Sequence, residues 1–484
     1  MTGIAQRVAG GRLAGHGLLA ADGAERAEAL VAQVREARIE TVRVLFPDQH
    51  GLLRGKTIVA DALPSVLADG MAAPSTLLLK DTSHRTVFPV WSADGEVAGG
   101  MRGAGDILMI PDPGSFRVLP WAPTSAWLFC DLAHADGAPL PLATRGLLRA
   151  AVERLAARDM ALVVGLEVEC HVYRVTDARL DHAGATMPGQ PVATQNIAQG
   201  YQFLTEQRYD EMEAVMESLR RTCLALDLPL RSLEVEMGPS QIELTFAPAD
   251  PMTHADNMVR LRSAVKAVCQ RQGLHATFMC KPRVENGAAS GWHLHQSLVD
   301  RPTGRNLFQP EKAGLTDSCS GWIAGLLAHA RESCLLSTPT VNGYKRYQPH
   351  QLAPTLVVWG RDNRGAMIRD LTRPGDPASR IENRIAEPAA NPYLFFASQI
   401  VSGMAGLDGG LTAPPPVETP YDNGADALPE SLLAAVEAFA ASPLYRDAFG
   451  ADFVSYYARI RRAEWERYHQ AVSEWEQQEY FNLY

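Results

Sequence analysis

The chain has 484 residues, 46% of them hydrophobic, enough for two or three domain cores. Its net charge of -10, from 45 basic and 55 acidic side chains, argues against a nucleic-acid or anionic-membrane surface, which needs a basic footprint. Small molecules are the expected partners, and seven cysteines without a Cys-x-x-Cys pair fit reduced thiols in a cytoplasm, with neither a signal peptide nor a membrane span expected.

In chain order, residues 1–23 are rich in Ala and Gly and read as a flexible leader. A β-rich unit is predicted over 24–135. Its strand-like runs are Thr41-Val-Arg-Val-Leu-Phe46 and Lys56-Thr-Ile-Val59 around the turn Pro47-Asp-Gln-His-Gly51, then Gly105 to Pro113 and Trp127 to Asp131. A second domain is expected over 136–484. Leu147, Leu148, Ala151, Val152 and Leu155 recur at helical spacing behind a candidate Thr144 cap, predicting a helix over Thr144 to Asp159. Further helices are read at about 206–227, 253–272 and 316–336, interleaved with charged strands, so the fold class is α+β with a largely antiparallel sheet. Asp408 to Pro429, with Pro414-Pro-Pro416 and Asn423-Gly424, reads as a long loop, followed by amphipathic helices of which the last ends near Trp475.

Four segments carry the chemistry: Gly165-Leu-Glu-Val-Glu169, Glu234 to Glu243, Gly291-Trp-His-Leu-His295 and Arg380-Ile-Glu-Asn-Arg384. From Leu162 to Val172 every even position is apolar, while Glu167, Glu169 and His171 are odd, so both glutamates share one strand face. Gln241 and Glu243 alternate with Ile242 and Leu244 in the same way, and Arg380, Glu382 and Arg384 with Ile381 and Ile385. One Glu-x-Glu is ordinarily a solvated sheet face. Several glutamates on one face repel unless cations sit among them, and carboxylates with imidazole suit Mg2+ or Mn2+ better than a structural zinc. Arginines crowd between Arg346 and Arg384, which together with metal-holding carboxylates fits phosphoryl transfer from a nucleotide to an anion.

From about Thr41 onward these residues resemble the glutamine synthetase family. The matching pieces are Phe46 to Gly51, Pro111-Asp-Pro-Gly-Ser-Phe-Arg-Val-Leu-Pro-Trp121, Gly165 to Glu169, Gly238 to Glu243, Ala276 to Pro282, Ser290 to Ser297, Asn342-Gly-Tyr-Lys-Arg346 and Arg380 to Tyr393, in the family's order. The resemblance implies an N-terminal β-grasp domain, a glutamine synthetase catalytic domain, and a homo-oligomer, expected as a dodecamer of two hexameric rings with active sites between neighbouring subunits. It implies ATP and two or three Mg2+ or Mn2+ ions per site, with Glu169, Glu236 and Glu243 at one metal position and Glu167, His293 and Glu382 at the other. Arg346 and Arg384 resemble the clamps on glutamate, Arg364 the arginine facing the transferred phosphoryl, and Arg369, Arg380, His295 and Ser297 the nucleotide-site residues. Asp48, from the next subunit, resembles the carboxylate that orients the amine.

The departures from the pattern bear on the amine. Where glutamine synthetases keep a flap glutamate that binds and deprotonates ammonium, Tyr344-Lys-Arg-Tyr-Gln-Pro-His-Gln-Leu-Ala-Pro354 places Leu352. The expected product is therefore a γ-glutamylamide of an organic amine, as in the γ-glutamylpolyamine, γ-glutamylmethylamide and γ-glutamylanilide synthetase branches. The alternative is ordinary glutamine synthetase using ammonium. Asn286-Gly-Ala-Ala-Ser-Gly291 is also longer than the family's Asn-Gly-Ser-Gly, and Asp426 stands where some bacterial members carry an adenylylated tyrosine.

Overall fold

A computed structural model describes residues 3–92, 98–101, 103–422 and 424–484; Asn423, half of the Asn-Gly turn signal, lies outside them. The smaller sheet holds β1 (Thr41–Pro47), β2 (Leu53–Val59), β3 (Met71–Pro74), β4 (Asp106–Pro111), β5 (Arg117–Leu119) and β6 (Ala122–His134), in the order β2-β1-β6-β4-β3 with β5 on β6. Val42, Val44 and Phe46 alternate into its core, as a half-buried strand requires. The helix Gly23–Glu36 packs Ala27, Leu30, Val31 and Val34 at helical spacing against it.

The segment expected to be a flexible leader is instead folded over residues 4–15. It forms the helices Ile4–Ala9 and Arg12–Gly15, with Val8 and Leu13 buried. Leu13 packs with Leu108 and Ala133, and a Cβ on Gly11 would stand 2.4 Å from the Ala68 carbonyl oxygen. That close approach admits only glycine.

The larger sheet runs β13 (Trp359–Arg361), β14 (Ile368–Asp370), β15 (Ile381–Ala386), β12 (Trp292–Asp300), β7 (Met160–Asp177), β10 (Gln241–Phe246) and β9 (Leu230–Val235), with β8 (Ala193–Gln195) and β11 (Leu274–Thr277) also on β7. Both sheets are mixed. β1 runs parallel to β6 and β13 parallel to β14, while the other pairs are antiparallel. In the larger sheet the parallel pair is β13 with β14, so that sheet is mixed while its other named pairs keep the antiparallel arrangement expected.

Helices cover the apolar face of the larger sheet. Pro392–Asp408 is buried along most of its length, with Asn391 accepting from the amides of Tyr393 and Leu394 and Pro392 at its first turn. It crosses Asp317–Ala328 through glycines, since a Cβ on Gly406 would lie 2.1 Å from the Gly321 carbonyl oxygen. The helix expected over 316–336 breaks at His329 into Asp317–Ala328 and Ala330–Ser337. Thr144 is not a cap: it is the first helical residue, Ala143 holds the cap position, and the Thr144 hydroxyl is buried without a partner. Arg145 of that helix reaches Asp112 and Asp131 at 2.7 Å and Asp256 at 3.1 Å, tying the two sheets' layers together. Among the described residues no helix is long and apolar enough to cross a membrane.

Candidate active site

Register assembles the site. On β7 the even positions Leu162 through Val172 fill the core, which turns Glu167, Glu169 and His171 to the other face. Across β12, His293 lies opposite Glu167 and His295 opposite Gly165; across β10, Glu243 lies opposite Glu169. Glu382 of β15 sits opposite both His295 and Arg369. Directly opposed residues have Cβ atoms about 4.5–5.5 Å apart, so a patch only a few strands wide collects all of these groups.

The side chains meet accordingly. His293 Nδ1 is 2.7 Å from Glu167 Oε1, and its Nε2 is 3.9 Å from Glu169 Oε1. Burial first, and then the Arg384 charge, lowers the imidazole to about 4, so it stands neutral with a lone pair to offer. Two groups of ligand atoms, Glu167, His293 and Glu382 in one and Glu169, Glu243 and His293 in the other, lie within 4.8 Å of one another. Burial and neighbouring carboxylates push Glu169 up to about 8 and Glu243 up to about 11; burial also lifts Glu236, to about 7. Such crowding of anions is unfavourable without cations, and the donor set is that of a hard divalent ion. The residues therefore fit a metal centre.

Glu236 follows β9 and stands outside both ligand groups, yet its charge acts on Glu169 and Glu243. Glu382 is fully buried, paired with Arg384 and, at 3.0 Å, with Arg369 Nη1. Although burial opposes ionisation, Arg384 and the two histidines hold this carboxyl below its usual range. Arg346, from the turn Gly343–Arg346, donates to the Arg384 carbonyl at 3.0 Å and lies 3.4 Å from His293 Nε2. Gly291 makes room for it: a Cβ there would be 2.6 Å from the Arg346 guanidinium.

Beside the cluster opens a cavity of about 870 Å³, lined by Glu167, His295, Ser297, Arg364, Arg369 and Arg380. Its size suits a nucleotide-sized ligand, and its arginines suit phosphates. His295 joins the two regions, with Nε2 3.1 Å from Glu167 Oε2 and Nδ1 accepting from Arg380 Nε at 3.1 Å.

Asp48 is not brought to this cluster. It is fully buried in the β1–β2 turn, accepting from the His50 and Leu52 amides and from Arg54 Nε, each at 2.9 Å. Gln241, which alternation places on the face of Glu243, donates to Glu169 Oε2 at 2.8 Å. Sequence reasoning missed Arg231, Arg305 and Arg373, which line the cavity at positions that no periodicity marks. Leu352 lies on an exposed loop, 53% accessible, and its carbonyl is 3.4 Å from Arg384 Nη2.

Comparison with known proteins follows the same lines. The model of the glutamine synthetase catalytic domain matches residues 141–480. The gamma-glutamylanilide synthase of an Acinetobacter species is 39% identical, over 95% of this chain and 96% of its own. The gamma-glutamylethanolamide synthetase GlnA4 of Streptomyces coelicolor is 34% identical, over 93% and 94%. A solved structure described as "Apo GmaS without ligand" superposes with a TM-score of 0.79 at 28% identity, covering 94% of this chain and 99% of the other.

Proposed function

The chain belongs to the glutamine synthetase family, and from that membership we propose that it is an ATP-dependent carbon–nitrogen ligase that joins glutamate to an organic amine as a γ-glutamylamide. The observation that carries the choice of amine is Leu352: the flap position that serves ammonium in glutamine synthetases has no carboxylate here. The similarity to amide synthetases across nearly the whole chain supports the same reading.

In this mechanism the arginine-lined cavity takes ATP, with Arg369, Arg380, His295 and Ser297 against the nucleotide. Glu167, His293 and Glu382, and Glu169 and Glu243 with Glu236 nearby, would hold two or three divalent cations, Mg2+ or Mn2+. Cations bound there neutralise phosphate charge as it redistributes. Arg346 and Arg384 position glutamate, and Arg364 faces the γ-phosphoryl as it moves to the γ-carboxylate oxygen. Carboxylate oxygen is a poor leaving group, whereas the acyl phosphate releases phosphate readily when the amine attacks. Asp48 is assigned to the neighbouring subunit's amine, on a turn that its three hydrogen bonds hold in shape. The assignment includes a β-grasp N-terminal domain, a dodecamer of two hexameric rings, and a cytoplasmic location.

The test is phosphate release from ATP and glutamate with Mg2+ across ammonium, methylamine, ethanolamine, putrescine and aniline, with products identified by mass. Turnover with an organic amine and little with ammonium is expected. Preference for ammonium would make the protein an ordinary glutamine synthetase.

A further inference from the structure

We propose that Gln241 is a positioning residue of the metal centre, holding the Glu169 carboxylate so that one chosen oxygen faces the cation. The inference rests on the reading of the site as the divalent-cation centre of a ligase and adds to it a residue that acts through a ligand.

Gln241 opens β10 opposite His171 of β7, two positions before the Glu243–Glu169 pair and on the same face. It is buried, and its amide has a fixed direction. The oxygen accepts from the Gly238 amide at 2.8 Å, which turns the nitrogen toward Glu169. That nitrogen donates to Glu169 Oε2 at 2.8 Å, to Ser290 Oγ at 3.1 Å and to the Ala289 carbonyl at 3.2 Å. With Oε2 engaged, Oε1 is the Glu169 oxygen turned to the cluster, 3.9 Å from His293 Nε2. Two ligand bonds of about 2.1 Å each can span that gap.

Gln241 is braced on both sides. Gly238 leaves room for the amide, since a Cβ there would lie 2.6 Å from Gln241 Oε1 and 3.1 Å from the Ala288 nitrogen. Ser290 is fixed in turn, its amide donating to the Cys280 carbonyl at 2.7 Å and its Oγ lying 3.3 Å from His171 Nδ1. The Glu169 amide donates to the Gly291 carbonyl at 3.1 Å, so backbone and side chain both tie this strand to the loop before β12.

The last torsion of a glutamate is broad and roughly two-fold, so a free carboxylate exchanges its oxygens easily. A donor held on one oxygen removes that freedom before an ion arrives, and the cost of ordering the ligand is met in folding rather than in binding. Being neutral, the amide does so without adding charge to a face already crowded with carboxylates. Donors placed behind metal ligands in this way typically carry about 10–100-fold in affinity or activity.

The experiment titrates Mn2+ into the full chain by calorimetry, without nucleotide or glutamate, for the wild type, Gln241→Met, Gly238→Ala and Ser290→Ala, with circular dichroism to establish that each is folded. Gln241→Met nearly conserves volume and removes the donor, and should weaken Mn2+ binding at least about tenfold. Gly238→Ala leaves Gln241 in the chain but drives its amide off the ligand; it should weaken binding too, and it carries the test where Gln241→Met does not fold. Ser290→Ala keeps the Gln241–Glu169 bond and should weaken binding much less than Gln241→Met. Wild-type affinity in folded Gln241→Met or Gly238→Ala would overturn the positioning role. Equal losses in Ser290→Ala and Gln241→Met would overturn it as well, by placing the effect in the loop. Absence of Mn2+ binding in the wild type would sink the cation-centre reading itself.

Discussion

Two carboxylates of the cluster should respond to the same substitution with opposite sensitivity. Glu382 is ionised, fully buried and paired with Arg369 and Arg384. Glu382→Gln leaves those guanidiniums without their counter-charge. Breaking a buried pair costs about 3–5 kcal/mol, and an amide oxygen that still accepts places the expectation near about 3 kcal/mol. At most about 2 °C per kcal/mol applies to a chain of this size, so the metal-free melting temperature should fall measurably but by no more than about 6 °C. Glu243 is different. Burial, with Glu167, Glu169 and Glu236 around it, pushes it up to about 11, so in the metal-free protein it is already neutral. Glu243→Gln is then nearly isosteric and should cost less than about 1 kcal/mol. Saturating Mg2+ separates them further: a ligand at about 100 times its dissociation constant stabilises the wild type by about 2.7 kcal/mol, a gain Glu243→Gln should largely lose. Thermal unfolding with and without Mg2+, alongside turnover, reads all of this, and both variants should be inactive. Equal destabilisation of the two metal-free variants, or a full Mg2+ response in Glu243→Gln, would refute the electrostatic picture of the site.

Glu387 offers a pH test away from the metal ligands. It is buried, accepts from the Thr340 amide and hydroxyl at 2.8 Å, and burial pushes it up to about 7 from 4.5. A raised carboxyl favours the fold fully below the lower value, and that advantage is lost as pH rises through the higher one, by up to about 3 kcal/mol. Urea midpoints at about pH 5 and about pH 8 should therefore differ less in Glu387→Gln than in the wild type; equal slopes would discount the burial effect. Arg145→Met removes the guanidinium that pairs with Asp112, Asp131 and Asp256, leaving buried Asp256 with Arg260 at 3.9 Å and the Tyr393 hydroxyl, and should cost about 3 kcal/mol in urea unfolding. A loss under about 1 kcal/mol would mean that this network does not join the layers. Arg364→Lys replaces a planar fork by a point charge and should lower kcat about 100-fold with ADP affinity little changed. Parallel loss of ADP affinity would move Arg364 from the transferred phosphoryl to the nucleotide.

The ligand-bearing strands were legible because a strand with one buried face writes its geometry as alternation, and β7 does so over Leu162 to Val172. Which strands lie side by side is a different matter. That His293 opposes Glu167 and Glu243 opposes Glu169 is set by long-range pairing, and only the family motifs anticipated it. The helices over 4–15 went unread because their few apolar residues gain burial from distant partners such as Leu108 and Ala133. Tyr421 sits in an irregular stretch where neither period applies, so its position beside His350 was invisible in one dimension.

The reaction groups stand on β7, β10, β12 and β15, deep in a sheet whose every second residue fills the core, whereas Leu352 rides an exposed loop at a positive φ of 54°. Changes on the strands disturb packing and charge balance together; changes to the exposed side chains of Gln348 to Leu352 disturb far less of either. The fold thus leaves one part free to drift while another is frozen. A lineage, or a mutagenesis library confined to residues 348–352, can sample new acceptors without first having to rebuild the machinery that activates the acid.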